Sequence, residues 1–286
     1  TTVLCKDTPA FIANRIGVYS IMNLFHTVEK MGLTIEEVDK LTGPVLGRPK
    51  SATFRTCDVV GLDTMIKVSK GLYDNCPDDK AHELFKLPEY VQKMEANNWL
   101  GDKTKQGFYK KTKSAEGKTE ILALDLKTLE YRPQQKIKSA TLELTKTIEN
   151  VKDRMKVFAA GKDKAGELFR ASFFGLFEYV SDRIPEIADE LYRIDDAMRA
   201  GFGWDLGPFE VWDAVGIAEA VEGITTSLHL TAESQCSSCH GSGARPGTTP
   251  KQCGQCRGRG VVDDNQGVFA FSGPCQRCNG RGNIIE

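Results

Sequence analysis

The sequence is short of net charge, of histidine and of long apolar runs, and each shortage removes a class of function. Lys and Arg number 38 against 39 Asp and Glu over 286 residues, a net charge of −1. Such a balance gives no field to draw in nucleic acid or an acidic membrane, so neither partner is expected. No run of about 18 apolar residues occurs, which leaves no candidate transmembrane helix. Residues Thr1 to Asp7 lack the basic segment and apolar stretch of a secretory leader, and a cytoplasmic location is expected. The four histidines are scattered. His26 falls within a helical pattern, His82 in a charged stretch, and His229 and His240 near the C-terminus. None stands in a motif that would make it a general base. Cysteine is also sparse over the first 235 residues, where Cys5, Cys57 and Cys76 are isolated. They are expected as buried or partly buried thiols without a role.

What is present is an ordinary globular composition, 40% hydrophobic and 27% charged, long enough for two or three domains. Residues 1–222 read as mostly helical. Asp7-Thr8-Pro9 is a helix-start signal, a capping side chain followed by proline. Ile12, Ile16, Tyr19 and Met22 then recur at helical spacing until Gly32. Thr34-Ile35-Glu36-Glu37 predicts a capping box for a second helix ending at Gly43. Further helical patterns cover 62–75, 80–97, 137–160 and 164–200, and residues 120–125 and 128–131 predict a short hairpin. A weak internal repeat aligns Gly47–Gly61 with Gly203–Gly216, sharing a glycine loop, Phe54 or Phe209, and Asp58-x-x-Gly61 or Asp213-x-x-Gly216. The fold class expected is mainly α, built of duplicated helical units, followed by a small β/irregular zinc-binding module.

The composition changes abruptly after Glu222. Gly223 to Glu233 is β-branched and alternates as a strand does, and the remainder is dense in Gly, Cys, Ser and Pro with little to build an apolar core. A domain boundary is expected at 222/223. Three copies of C-x-x-C-x-G-x-G follow, opening at Cys236, Cys253 and Cys275. Two residues between thiolates let both sulfurs reach one ion, and a second pair closes a Cys₄ shell. The glycines let the chain fold back so that backbone N–H groups face the sulfurs. Redox C-x-x-C motifs come singly beside a βαβ pattern, which is absent here. Cys253, Cys256, Cys275 and Cys278 give C-x₂-C-x₁₈-C-x₂-C, inside the usual window for zinc of roughly 15–20 residues. The shorter x₁₃ connection from Cys239 to Cys253 leaves Cys236 and Cys239 as a half site, with His240 as a further candidate ligand.

These repeats strongly resemble the cysteine-rich region of DnaJ-type (Hsp40) co-chaperones, and Gly223 to Glu233 resembles the strand leading into it. That family has four such repeats, the first pairing with the fourth and the second with the third. The resemblance therefore implies one complete zinc site and one half site here, together with binding of unfolded polypeptide. No His-Pro-Asp tripeptide occurs in the sequence, so the J-domain hallmark is not encoded in it.

Residues 1–222 resemble the C-terminal helical region of bacterial 3-hydroxyacyl-CoA dehydrogenases of fatty-acid β-oxidation. The resemblance is carried by Lys6 to Arg15 (KDTPAFIANR), Gly47 to Asp63, Gly101 to Tyr109 (GDKTKQGFY) and Gly203 to Gly216. It implies a region that dimerises and closes over acyl-CoA, while a separate Rossmann domain holds NAD and a catalytic His-Glu pair. Asn14 falls on the family's substrate-contacting asparagine. The nearest approach to a dinucleotide motif, Gly201-Phe-Gly203-Trp-Asp-Leu-Gly207, is one residue too long and follows a helical pattern, so it is assigned to the repeat. No catalytic or cofactor-binding residue is expected within this sequence, and no dehydrogenation by the chain alone. NAD enters only with a Rossmann domain supplied.

The domains expected are 1–115, a first helical unit; 116–170, a hairpin and connecting helices; 171–222, a second, related unit; and 223–286, the zinc-finger region. The absence of a polar or Pro/Gly-rich spacer at the junction reads as a chimera of two truncated pieces. The expected function is the acyl-CoA-binding and dimerisation part of a 3-hydroxyacyl-CoA dehydrogenase joined to a DnaJ-type zinc module. The alternative is a zinc-dependent chaperone module with the helical part a passive fusion partner.

Overall fold

The computed structural model describes residues 2–113, 117–216, 249–266 and 269–284. The chain forms two compact units, Thr1–Leu228 and His229–Glu286. The junction expected at 222/223, the strand expected over 223–233, and Cys236, Cys239 and His240 lie outside the described residues.

Helices dominate the first unit. Helix α1 (Ala13–Met31) buries Ile16, Tyr19 and Met22 as its spacing requires. It ends on Gly32, whose left-handed φ of 61° lets the Gly32 and Leu33 N–H groups turn back onto the carbonyls of Glu29 and Val28. The helix starts later than Asp7-Thr8-Pro9 predicts. Ala10 and Phe11 take left-handed φ values of 64° and 52°, and the Lys6 N–H is held by the Ile187 carbonyl at 3.0 Å, so the chain turns before the helix begins. Helix α2 (Ile35–Thr42) opens on the predicted capping box. Glu37 N–H donates to Thr34 Oγ1 at 3.3 Å and Thr34 N–H to Glu37 Oε2 at 2.8 Å. Helices α3 (Phe54–Val60) and α4 (Leu62–Asn75) follow.

Three long helical predictions break into shorter elements, each at a nameable cause. Over 80–97, Pro88 lacks the N–H a helix interior needs, so a 3₁₀ turn at His82–Phe85 precedes α5 (Glu89–Ala96). After β1 to β3, described below, the stretch 137–160 divides into α6 (Ala140–Thr145) and α7 (Val151–Ala160). Each has its own N-cap, Ser139 accepting from Leu142 N–H and Asn150 from Lys152 N–H. The stretch 164–200 divides around Pro185 into α8 (Lys164–Asp182) and α9 (Leu191–Phe202), and α10 (Pro208–Val215) completes the helices described.

The expected hairpin is part of a three-stranded antiparallel sheet of β1 (Tyr109–Lys113), β2 (Thr119–Leu124) and β3 (Tyr131–Pro133). Leu124 lies opposite Tyr131, and Tyr109 opposite Ala123. The β1 strand escaped the sequence reading because its lysines give no apolar alternation. Such residues suit a strand at a sheet edge.

The internal repeat is a structural one. Gly47 and Gly203 adopt nearly the same left-handed backbone, φ 64° and 63°, and Gly61 and Gly216 close α3 and α10 at φ 101° and 98°. Asp39 of α2 accepts the N–H groups of Thr53, Phe54 and Arg55 at the start of α3, and Asp195 of α9 accepts that of Phe209 at the start of α10. The two glycine loops meet, Asp205 N–H donating to the Gly47 carbonyl at 2.7 Å. Between them the Arg48 guanidinium lies over the rings of Trp204 and Phe173, 4.1 and 4.9 Å from their centroids. The long helices α1 and α8 pack together, with the rings of Tyr19 and Tyr179 stacked 3.8 Å apart.

The second unit is built differently. Two short antiparallel pairs are described, β4 (Lys251–Gln252) with β7 (Asn283–Ile284) and β5 (Val261–Gln266) with β6 (Phe269–Pro274). Its buried cluster is Cys253, Cys256, Cys275 and Cys278, flanked by Val262 and Ile284.

Candidate functional site

The four cysteines sit on two turns of the same design. In each, the second cysteine's sulfur accepts an N–H four residues on, Gly260 to Cys256 and Gly282 to Cys278, both at 3.3 Å. The turns interlock: Cys275 N–H donates to the Gly260 carbonyl and Cys253 N–H to the Gly282 carbonyl, each at 2.8 Å. Gly260 and Gly282 have φ of 74° and 77°, and a Cβ on either would strike the carbonyl of Gly280 or Gly258. No other residue fits there.

This framework gathers the four sulfurs within 4.8 Å of one another. Cys253 and Cys275 are 3.8 Å apart, Cys256 and Cys278 3.7 Å. A disulfide requires about 2.05 Å. A tetrahedron with zinc–sulfur bonds of about 2.3 Å has edges of roughly 3.8 Å. The cluster therefore has the dimensions of a thiolate–metal site. The backbone N–H groups of Cys256 and Gln255 pull the Cys253 thiol down to about 7, while desolvation among the neighbouring sulfurs pushes the Cys278 thiol up to about 11.

In the first unit, Asn14 is the second residue of α1 and its side chain is exposed, three residues after the exposed ring of Phe11. Its neighbour Arg15 is fully buried. Arg15 Nη2 pairs with Asp79 Oδ2 at 2.7 Å and reaches Glu186 at 3.2 Å, while its Nε donates to Tyr179 Oη at 2.8 Å. Arg183 pairs with the same Asp79 and Glu186 at 3.2 and 2.5 Å. Burial alone would drive Arg15 toward neutrality, but Tyr179, Asp79 and Glu186 more than offset it and keep the guanidinium firmly charged. The sequence reading missed this network. Arg15 occupies the Ile12–Ile16–Tyr19 stripe, and a charged residue on a buried stripe is the signal for a buried partner.

The histidines are fixed by packing. His26 Nε2 lies 3.1 Å from the carbonyls of Leu84 and Lys86, and His82 stacks on Tyr73 with Nε2 2.8 Å from its carbonyl. His229 lies outside the described residues. Gly201 and Phe202 end α9, and Gly203 to Gly207 join it to α10, so a helix and not a strand precedes this segment, in keeping with its assignment to the repeat. Cys57 and Cys76 are buried as expected, whereas Cys5 is exposed, in the irregular segment that precedes α1.

Comparison with known proteins identifies both units. Residues 11–111 match the family model of the 3-hydroxyacyl-CoA dehydrogenase C-terminal domain, and residues 236–286 that of the DnaJ central domain. The chain carries both domains. A Bacillus subtilis protein named "Probable 3-hydroxyacyl-CoA dehydrogenase" is 46% identical over 220 residues, 77% of this chain and 27% of that protein. A Deinococcus radiodurans protein of the same name is 50% identical over 116 residues, 41% of this chain and 33% of that protein. A "Chaperone protein DnaJ" of Maridesulfovibrio salexigens is 45% identical over 71 residues, 25% of this chain and 19% of that protein. The chain thus spans a third or less of the length of each of these relatives. The mainly helical dehydrogenase domain and the small cysteine module agree with the fold class expected. The DnaJ domain and its four-cysteine cluster together support zinc. Among the described residues, no helix is long and apolar enough to cross a membrane.

Proposed function

We propose that residues 1–222 are the acyl-CoA-binding part of an NAD-dependent 3-hydroxyacyl-CoA dehydrogenase of fatty-acid β-oxidation, with Asn14 contacting the reacting end of the substrate. The observation that carries this reading is the match of this unit, over 220 residues, to a dehydrogenase, with Asn14 exposed on the first turn of α1. The network of buried Arg15, Asp79 and Arg183 with the exposed Glu186 anchors that turn, so the asparagine amide is presented from a fixed backbone. A fixed donor or acceptor is what substrate orientation needs. The sequence carries no cofactor motif, and His82, whose Nδ1 lies 3.4 Å from Glu83 Oε1, is held through Nε2 on the Tyr73 carbonyl, so hydride transfer is assigned to the NAD domain of such an enzyme. Dimerisation through the helical unit belongs to the same reading.

Residues 223–286 are proposed to hold one Zn²⁺ through Cys253, Cys256, Cys275 and Cys278, with Cys236 and Cys239 a half site. Four thiolates leave no open position, so the ion serves as a structural cross-link. Its support is the sulfur spacing, with Val262 and Ile284 the apolar side chains packed on the cysteines among the described residues. Binding of unfolded polypeptide is the further property this module would bring.

Nuclear magnetic resonance tests the Asn14 assignment. The side-chain amide of Asn14, identified by its disappearance in Asn14→Asp, is expected to shift on titration with acetoacetyl-CoA. An unmoved amide at saturating thioester would overturn the assignment.

A further inference from the structure

One cavity of the first unit includes neither Asn14 nor any residue of α1. It is an open groove of about 1280 Å³, walled by α2, the loop after it, β1 and β2, α6 and α7. Its volume exceeds the roughly 300–1,000 Å³ of ordinary small-molecule pockets. Pro44, Val45, Ile121, Leu142 and Ile148 give it apolar walls, and Tyr109 lies among them.

Charge distinguishes this groove from a simple cleft between elements. Seven lysines and arginines line it against three acids, Glu36, Asp39 and Asp102. Each acid is already engaged. Glu36 is held by Arg132 and the Gln135 N–H, Asp102 by a two-pronged pair with Arg55, and Asp39 by three backbone N–H groups and the Tyr109 hydroxyl. The cations are not balanced in the same way. Among the described residues Lys40, Lys50 and Lys105 make no ion pair, and all three are exposed at the groove. Arg154 is fixed by four carbonyls, those of Val45, Ile148, Glu149 and Pro44, and meets no carboxylate. A positive rim around apolar walls is complementary to a phosphorylated molecule with an apolar or aromatic part. Lysines act there as mobile point charges and the arginine as a fixed one.

We propose that this groove is a binding site for an organic di- or polyphosphate, separate from the substrate position at Asn14. Nucleotides and phosphopantetheine carriers share that chemistry, so the test uses ADP and free CoA as probes on the full zinc-loaded chain, with adenosine as the uncharged control. Isothermal calorimetry is expected to show ADP, CoA or both binding at ~1 mM or tighter. That binding should weaken about tenfold or more in Lys40→Glu/Lys50→Glu and decline with added salt, because opposite charges attract through water and ions screen them. Both lysines are exposed, so the double variant should keep the wild-type melting transition, and Lys105→Glu provides a second, independent charge reversal. ADP alone would make the site nucleotide-type, CoA alone carrier-type; either supports the proposal. Binding of neither probe, equal binding of adenosine, or undiminished binding to folded Lys→Glu variants would overturn it. The Asn14 amide signal is independent of this outcome, so failure here and failure of the dehydrogenase reading are separately visible.

Discussion

Single residues decide two properties of this chain, metal retention and response to pH. Cys256→Ser or Cys275→Ser is expected to lose the bound zinc, whereas Cys236→Ser should retain it. Elemental analysis of the three purified variants checks this, and equal loss from Cys236→Ser would show the wrong pairing. The buried carboxyls govern the pH response. Burial pushes Asp39 and Asp195 up to about 7 and Asp58 up to about 6, against the hydrogen bonds they accept. A carboxyl raised above its unfolded value of about 3.9 stabilises the fold fully below that value and loses the contribution as pH rises through its folded value. The helical unit should therefore have a lower urea midpoint at about pH 8 than at about pH 5. Asp39→Asn with Asp195→Asn should flatten that difference, and a midpoint that climbs over this range would contradict the assignment. Groups held low, such as Asp79 beside the Ala81 N–H and Arg15, lose their contribution only in more acidic solution.

At the level of elements, the sequence was most legible where one local signal sufficed. The Thr34–Glu37 capping box, the Gly32 terminus and α4 stand where the pattern put them. The long predictions failed where a proline or an internal cap outweighed a continuing apolar period, at Pro88, Asn150 and Pro185. The start of α1 failed because a contact distant in sequence, Lys6 with Ile187, redirects the chain. The cysteine turns were legible because their spacing is itself the geometry. The charged groove was not, because its lysines come from segments joined only in three dimensions. Asp163 illustrates an element-scale device no local pattern reveals. It caps α8 through the Gly166 N–H and also accepts from Ser139 Oγ, Thr141 N–H and Thr141 Oγ1, tying α6 to α8. Asp163→Ala should cost ~2 kcal/mol, the upper end for a lost cap, because several donors lose their acceptor together. A change below about 0.5 kcal/mol in denaturant unfolding would show that water replaces the carboxylate without loss.

For the whole molecule, the two units draw on different sources of stability. The helical unit has an extended apolar core, with Phe25, Phe54, Phe108, Phe169, Phe173 and Phe177 buried in it. Among the described residues, the cysteine unit buries four thiols flanked by two apolar side chains. Metal binding contributes about 10–16 kcal/mol of apparent free energy to such modules at neutral pH. Chelation should therefore unfold the cysteine unit while leaving the helical melting transition in place. A large shift of that transition in calorimetry would show that the units depend on each other. The central claim, that the helical unit is one half of a dehydrogenase, is tested most directly by reconstitution. The chain is mixed with the separately produced NAD domain of a related 3-hydroxyacyl-CoA dehydrogenase, and NADH formation from 3-hydroxybutyryl-CoA is followed. Turnover should appear only in the mixture and fall about 10²-fold or more with Asn14→Ala, as expected when an orienting contact is lost. Turnover by the chain alone, or a mixture indifferent to Asn14→Ala, would contradict the assignment.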